Sequence, residues 1–122
     1  MADTCHAYGM DLIIHSCGYV YPLMDMMCEA GIDGFQFDQP ELVGSHVCAA
    51  EFKTRAGFFC PVDIQSVLAT GDRAYIEKKA LEMCNVFREN GGHLVWKDYP
   101  AYGDIGVETD WAKDVILKNS DL

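Results

Sequence analysis

What most limits the folds open to this chain is a strict alternation of two kinds of segment. Four short apolar stretches, each leaving through a polar or glycine-rich exit, are separated by segments whose apolar residues recur with the helical period. The expected strands are residues 11–15, 34–38, 57–62 and 93–97, and the first three begin 23 residues apart. Their near-continuous apolar character suits parallel strands better than antiparallel ones, which alternate cleanly between an apolar and a polar face. Between them, residues 21–30 place Val20, Leu23, Met24, Met27 and Cys28 on one helical stripe, with Gly31 as the stop. Residues 43–54 turn Val43, Val47 and Ala50 inward. The third helix is capped by Asp72, buries Ile76, Ala80, Met83, Cys84 and Phe87, and ends at Gly91-Gly92. The last begins after Thr109, with Asp110 at its positive end and Trp111, Val115 and Ile116 inward. Residues 1–10 read as the tail of a preceding helix that Gly9 closes.

These elements define an α/β chain of four consecutive βα units over residues 1–122, a single domain. A (β/α)8 barrel needs eight such units and about 250 residues. Four units make a half-barrel with a parallel sheet whose two edge strands lack partners, and such edges invite pairing with another chain. A homodimer, or a complex with a missing N-terminal half, is the expected assembly.

Composition removes several classes of function. A net charge of -10, with only nine Lys and Arg, offers no basic surface for a phosphate backbone and repels an anionic membrane. No apolar run approaches the roughly 20 residues that span a bilayer. Residues 1–10 lack a basic region followed by an apolar one, so no secretory signal is expected and a reducing cytoplasm is the default setting. The six cysteines follow no compact disulfide spacing, and Cys28, Cys48 and Cys84 read as small buried thiols on helix faces.

The sharpest local feature is His15-Ser16-Cys17-Gly18, where the first strand ends. Strand side chains alternate faces, so the His15 imidazole and the Cys17 thiol project the same way and can converge on one metal ion. They are two of the N and S donors that Zn2+ prefers. In a (β/α)8 barrel the chemistry sits at the carboxyl ends of the strands, and the other strand ends carry Gln36, Asp38 and Gln39, then Cys60, Asp63 and Gln65, then Lys97, Asp98 and Tyr99. Cys60, held at a strand end by Pro61, is the candidate third metal ligand, while Asp38 and Lys97 are the candidate catalytic residues. Asp38 before Gln39-Pro40 also suits a turn, and Asp63 suits a loop cap. His93 stands at the opposite strand end, and His6 and His46 read as surface residues. No dinucleotide fingerprint, P-loop or serine elbow occurs.

Taken in order, the stretches that begin at His15 (His-Ser-Cys-Gly-Tyr-Val-Tyr-Pro-Leu), Glu29 (Glu-Ala-Gly-Ile-Asp-Gly-Phe-Gln-Phe-Asp-Gln-Pro-Glu), Phe59 (Phe-Cys-Pro-Val-Asp-Ile-Gln) and Thr70 (Thr-Gly-Asp) resemble the C-terminal half of the uroporphyrinogen decarboxylase superfamily. That superfamily also holds methyltransferases that carry methyl groups from corrinoid proteins to thiols. The His-x-Cys-Gly segment is similar to the methyltransferase branch, and the resemblance implies that His15 and Cys17 bind a zinc that activates an acceptor thiol. It further implies a small-molecule substrate and a corrinoid carried by a partner protein. Where that branch places a further cysteine in a Gly-Cys-Gly-like stretch, this chain has Lys97-Asp-Tyr-Pro-Ala-Tyr-Gly-Asp-Ile-Gly, and Cys60 stands as the substitute. The resemblance offers uroporphyrinogen decarboxylation, within porphyrin biosynthesis, as an alternative. Its Asp and Arg residues from the N-terminal part of the barrel and its late His have no match here, so the isolated chain is not expected to perform it. A non-catalytic half-barrel that dimerises or complements an N-terminal half is the alternative outside enzymology.

Overall fold

In the computed structural model, which describes residues 1–107 and 111–120, helices and strands alternate as the apolar pattern predicts. Helix α1 (Ala2–Ala7) leads into strand β1 (Ile13–His15), helix α2 (Tyr21–Glu29), strand β2 (Gly34–Gln36) and helix α3 (Ser45–Glu51). Strand β3 (Gly57–Cys60), helix α4 (Arg73–Asn90), strand β4 (His93–Trp96) and helix α5 (Trp111–Asn119) complete the order. Every strand pairs in parallel with its sequence neighbour, giving one four-stranded sheet in the order β1-β2-β3-β4. The strands are shorter than expected, and Asp38, Val62 and Lys97 lie just past the last paired residues. Pro61 follows the last residue of β3, and its missing N–H cannot extend a ladder. Thr109 and Asp110, expected to cap the last helix, lie outside the described residues. Among the described residues no helix is long and apolar enough to cross a membrane.

Register explains where the core sits. The pairing aligns Ile14, Phe35, Phe58 and Leu94 in one row across the sheet, and this row faces the helices. Phe58 is its centre: its ring lies 5.9 Å from that of Phe35, 6.2 Å from Phe37, 6.5 Å from Phe52 just after α3 and 5.8 Å from Phe87 of α4. The next row, His15, Gln36, Phe59 and Val95, faces the opposite way. On that second face Ile13 is 54% and Val95 63% exposed. Right-handed connections between sequential parallel strands carry all the helices to one side, which is why one face is packed and the other open.

Local chemistry sets the helix ends. Asp72 caps α4 by accepting from the Tyr75 amide at 3.1 Å, and Gly91 takes φ +69° to release the chain at the other end. Gly92 is required for a different reason, since a Cβ there would sit 2.9 Å from the Ala49 backbone of α3. Asp72→Ala is expected to lower stability by about 1 kcal/mol without changing the fold, read as a shifted urea midpoint at constant slope. An unchanged midpoint would show that the cap carries no weight.

Helix α3 departs from expectation in its phase. It starts at Ser45, after a 3-10 turn at Pro40–Leu42, and buries Ser45, Cys48 and Ala49, with Phe52 buried just past its end. Val43, Val47 and Ala50, expected inward, are only half-buried. The large Phe52 ring decides the rotation, because it fills the space beside Phe35 and Phe58 that the smaller valines cannot. On α2 Met24 is buried, whereas Leu23, expected beside it, is exposed. In α5 the fully buried residues are Ala112 and Ile116, with Trp111 and Val115 packed partly against them.

Candidate functional site at the carboxyl ends of the strands

The strands run in the same direction, so the residues that follow them gather along one rim. His15 is the last residue of β1, and Cys17, two positions on, returns to the same side. The Cys17 Sγ lies 3.4 Å from the His15 Nε2. On the other side of the ring, Nδ1 contacts the Gln36 Oε1, brought opposite by the β1–β2 register. The Gln36 Nε2 donates to the Asp38 Oδ1 at 2.8 Å, and the Lys97 Nζ donates to the same oxygen at 2.6 Å. Residues 15, 17, 36, 38 and 97 all belong to the open-face parity of their strands, and together they form one connected line from β1 to β4.

The direction of each hydrogen bond follows from the donors. The Asp38 carboxyl is pushed up by partial burial, but the bonds from Lys97 and Gln36, with the Lys97 charge, outweigh this and hold it below the usual carboxylate range. A carboxylate only accepts, so the Gln36 amide must turn its nitrogen to Asp38 and its oxygen to His15. An amide oxygen also only accepts, which in the neutral ring places the proton on Nδ1. The Nε2 lone pair is then free to face Cys17, where it can take the thiol proton or ligate a metal. Asp38 and Lys97 thus act on the pair through Gln36.

Cys60 stands elsewhere. It has the parity of Phe58, so it faces the helices and is 1% exposed. Burial pushes its thiol up to about 12, against a hydrogen bond from the Phe37 backbone. Among the described residues no three of His, Cys, Asp and Glu come together in a way that could hold a metal ion. The His15–Cys17 pair does fit two corners of a zinc site. Donors at about 2.0 Å (N) and 2.3 Å (S) on a tetrahedral ion stand roughly 3.5 Å apart, close to the 3.4 Å found here.

Other rim residues are structural. Asp63 is buried and accepts from the backbone amides of Gln65 at 2.9 Å, Ser66 at 2.7 Å and Glu41 at 3.1 Å, which ties the loop after β3 to the one after β2. Asp98 takes the Tyr102 hydroxyl at 2.6 Å. His6 is paired with Asp33 at 2.7 Å at the opposite end of the sheet, His46 is exposed, and His93 opens β4. The role of Gln36 is the part that strand-end reasoning missed, because it depends on which residue of β2 lies opposite His15.

Fold and rim define a parallel α/β protein with a thiol–imidazole pair at the carboxyl ends of its strands. Compared with family models, with curated proteins and with solved structures, the chain matches none.

Proposed function

We propose that the chain is half of a (β/α)8 barrel of the uroporphyrinogen decarboxylase superfamily, from its corrinoid-linked methyltransferase branch, and that its rim binds an acceptor thiol for methyl transfer. The observation that carries this reading is the 3.4 Å approach of the Cys17 thiol to the His15 Nε2, with the line through Gln36, Asp38 and Lys97 directing the proton of the neutral ring to Nδ1. His15 and Cys17 would hold a zinc ion, with its remaining positions open to the acceptor thiol and solvent. When bound, the ion would stabilise the thiolate form of the acceptor at neutral pH. Within the chain, Gln36 fixes the imidazole orientation, while Asp38 and Lys97 fix Gln36. The corrinoid would arrive on a partner protein at the open side of the rim.

Elemental analysis tests the metal assignment. Purified protein equilibrated with zinc is expected to keep about one equivalent per chain after gel filtration, as a single site requires, and Cys17→Ser to lose it. Retention below about half an equivalent, or no difference in the variant, would remove zinc from the reading. Cys60→Ser is expected to leave zinc retention unchanged, since that thiol faces the helix layer.

A further inference from the structure

Parallel sheets are ordinarily covered on both faces, yet here Ile13 and Val95 stand exposed on a face that no described helix covers. Among the described residues the sheet also has two free edges. Lys97 N bonds to the Cys60 carbonyl, so by the two-residue period the backbone groups of Leu94 and Trp96 point away from β3. Ser16 N bonds to the Gln36 carbonyl, and by the same period the groups of Ile13 and His15 point away from β2. Beside the free edge of β4 runs an apolar groove of about 480 Å3, lined by Phe87, Leu94, Val95, Trp96, Ile116 and Leu117.

We propose that this groove receives β1 of a second copy of the chain, so that two copies close into one eight-stranded parallel barrel. A lone added strand would satisfy β4 but leave β1 and the open face uncovered. A second copy satisfies both edges at once: a two-fold axis parallel to the strands pairs β4 with the partner's β1 and β1 with the partner's β4, all in parallel. The assembly closes at eight strands, the number of the (β/α)8 architecture, with no edge left to propagate. The open faces, carrying Ile13, Phe59 and Val95 from each copy, become the interior, and Gly34 and Gly57 leave room there. Both His15–Cys17 pairs then look into one mouth. The inference rests on the half-barrel part of the proposed function but not on the metal.

Light scattering after size exclusion is expected to give twice the 13.6 kDa chain mass. Ile13→Pro removes an amide that points away from β2, and Val95→Lys places a charge on the open face. Each is expected to halve the mass while far-UV circular dichroism keeps its helical signal. If Ile13→Pro unfolds, Val95→Lys decides, since its side chain lies outside the core. A wild-type monomer, polymers that grow with concentration, or a dimer untouched by both substitutions would each overturn the proposal. Zinc retention measured on the same samples separates the two readings. A monomer that loses zinc in Cys17→Ser sinks the barrel dimer alone, and a zinc-free dimer sinks the metal site alone.

Discussion

Phe58→Ala is expected to be the most damaging single substitution in the chain, costing about 3–5 kcal/mol of a stability that for a small domain totals about 5–15 kcal/mol. The reason is position as much as size. The ring lies in the middle of the sheet and touches the rings of Phe35 and Phe37 from β2 and its exit, Phe52 from the end of α3 and Phe87 from α4. Its removal leaves a cavity between sheet and helices that none of these neighbours can fill without breaking its own contacts. Tryptophan fluorescence from Trp96 and Trp111, followed through urea, will report the loss as a lowered midpoint. Leu81→Ala, on the exposed side of α4, is the control and is expected to move stability by less than about 1 kcal/mol. A Phe58→Ala cost in that same small range would mean that the aromatic layer is not the core.

The layer was legible in the sequence only in part. The alternation of apolar runs with helical stripes carries the element order, and Asp72 before the α4 stripe carries a helix start, because both are local properties of the chain. Helix α3 resisted the same reasoning. Valines at 43 and 47 suggest one inward face, and only the position of the Phe35 and Phe58 rings, set by pairing between distant strands, makes Phe52 the residue that must be buried. The site divides along the same line. That His15 and Cys17 share a side follows from strand period alone, whereas the contact of His15 with Gln36 requires the β1–β2 register. Parity also separates Cys60 from the pair: it aligns with Trp96 and follows Phe58 into the helix layer, one position out of step with the row of His15, Gln36, Phe59 and Val95. A strand end alone does not say which of the two faces a residue serves.

Asp38→Ala, which removes the acceptor shared by Gln36 and Lys97, is expected to weaken zinc binding about 10–100-fold, the range for groups that orient metal-ligating histidines. Gln36 and Lys97 donate to one and the same Asp38 oxygen, so an asparagine oxygen there can keep both bonds, and only loss of the acceptor releases the Gln36 amide. Without it, nothing holds the amide with its oxygen on His15. The neutral His15 ring is then free to carry its proton on Nε2, and in that tautomer the lone pair that faces Cys17 is gone. In metal-free protein the same release is expected to slow alkylation of Cys17 by iodoacetamide roughly tenfold, about 1.4 kcal/mol, because the imidazole no longer accepts the thiol proton. The fold should be unaffected, since the residue lies at the rim. Nitrogen chemical shifts of His15 report the tautomer directly, and Asp38→Glu, which keeps a carboxylate for Gln36 and Lys97, should restore the wild-type form. In the wild type the ionised Asp38 that holds Gln36 persists through the neutral and mildly acidic range. The Asp38 carboxyl is held below its usual value, so the linkage is complete above the ordinary carboxylate pKa of about 4 and fails only as the pH falls through the lowered one. An Asp38→Ala protein with the Nδ1-protonated tautomer and undiminished zinc affinity would show that Asp38 and Lys97 form a surface ion pair with no hold on His15.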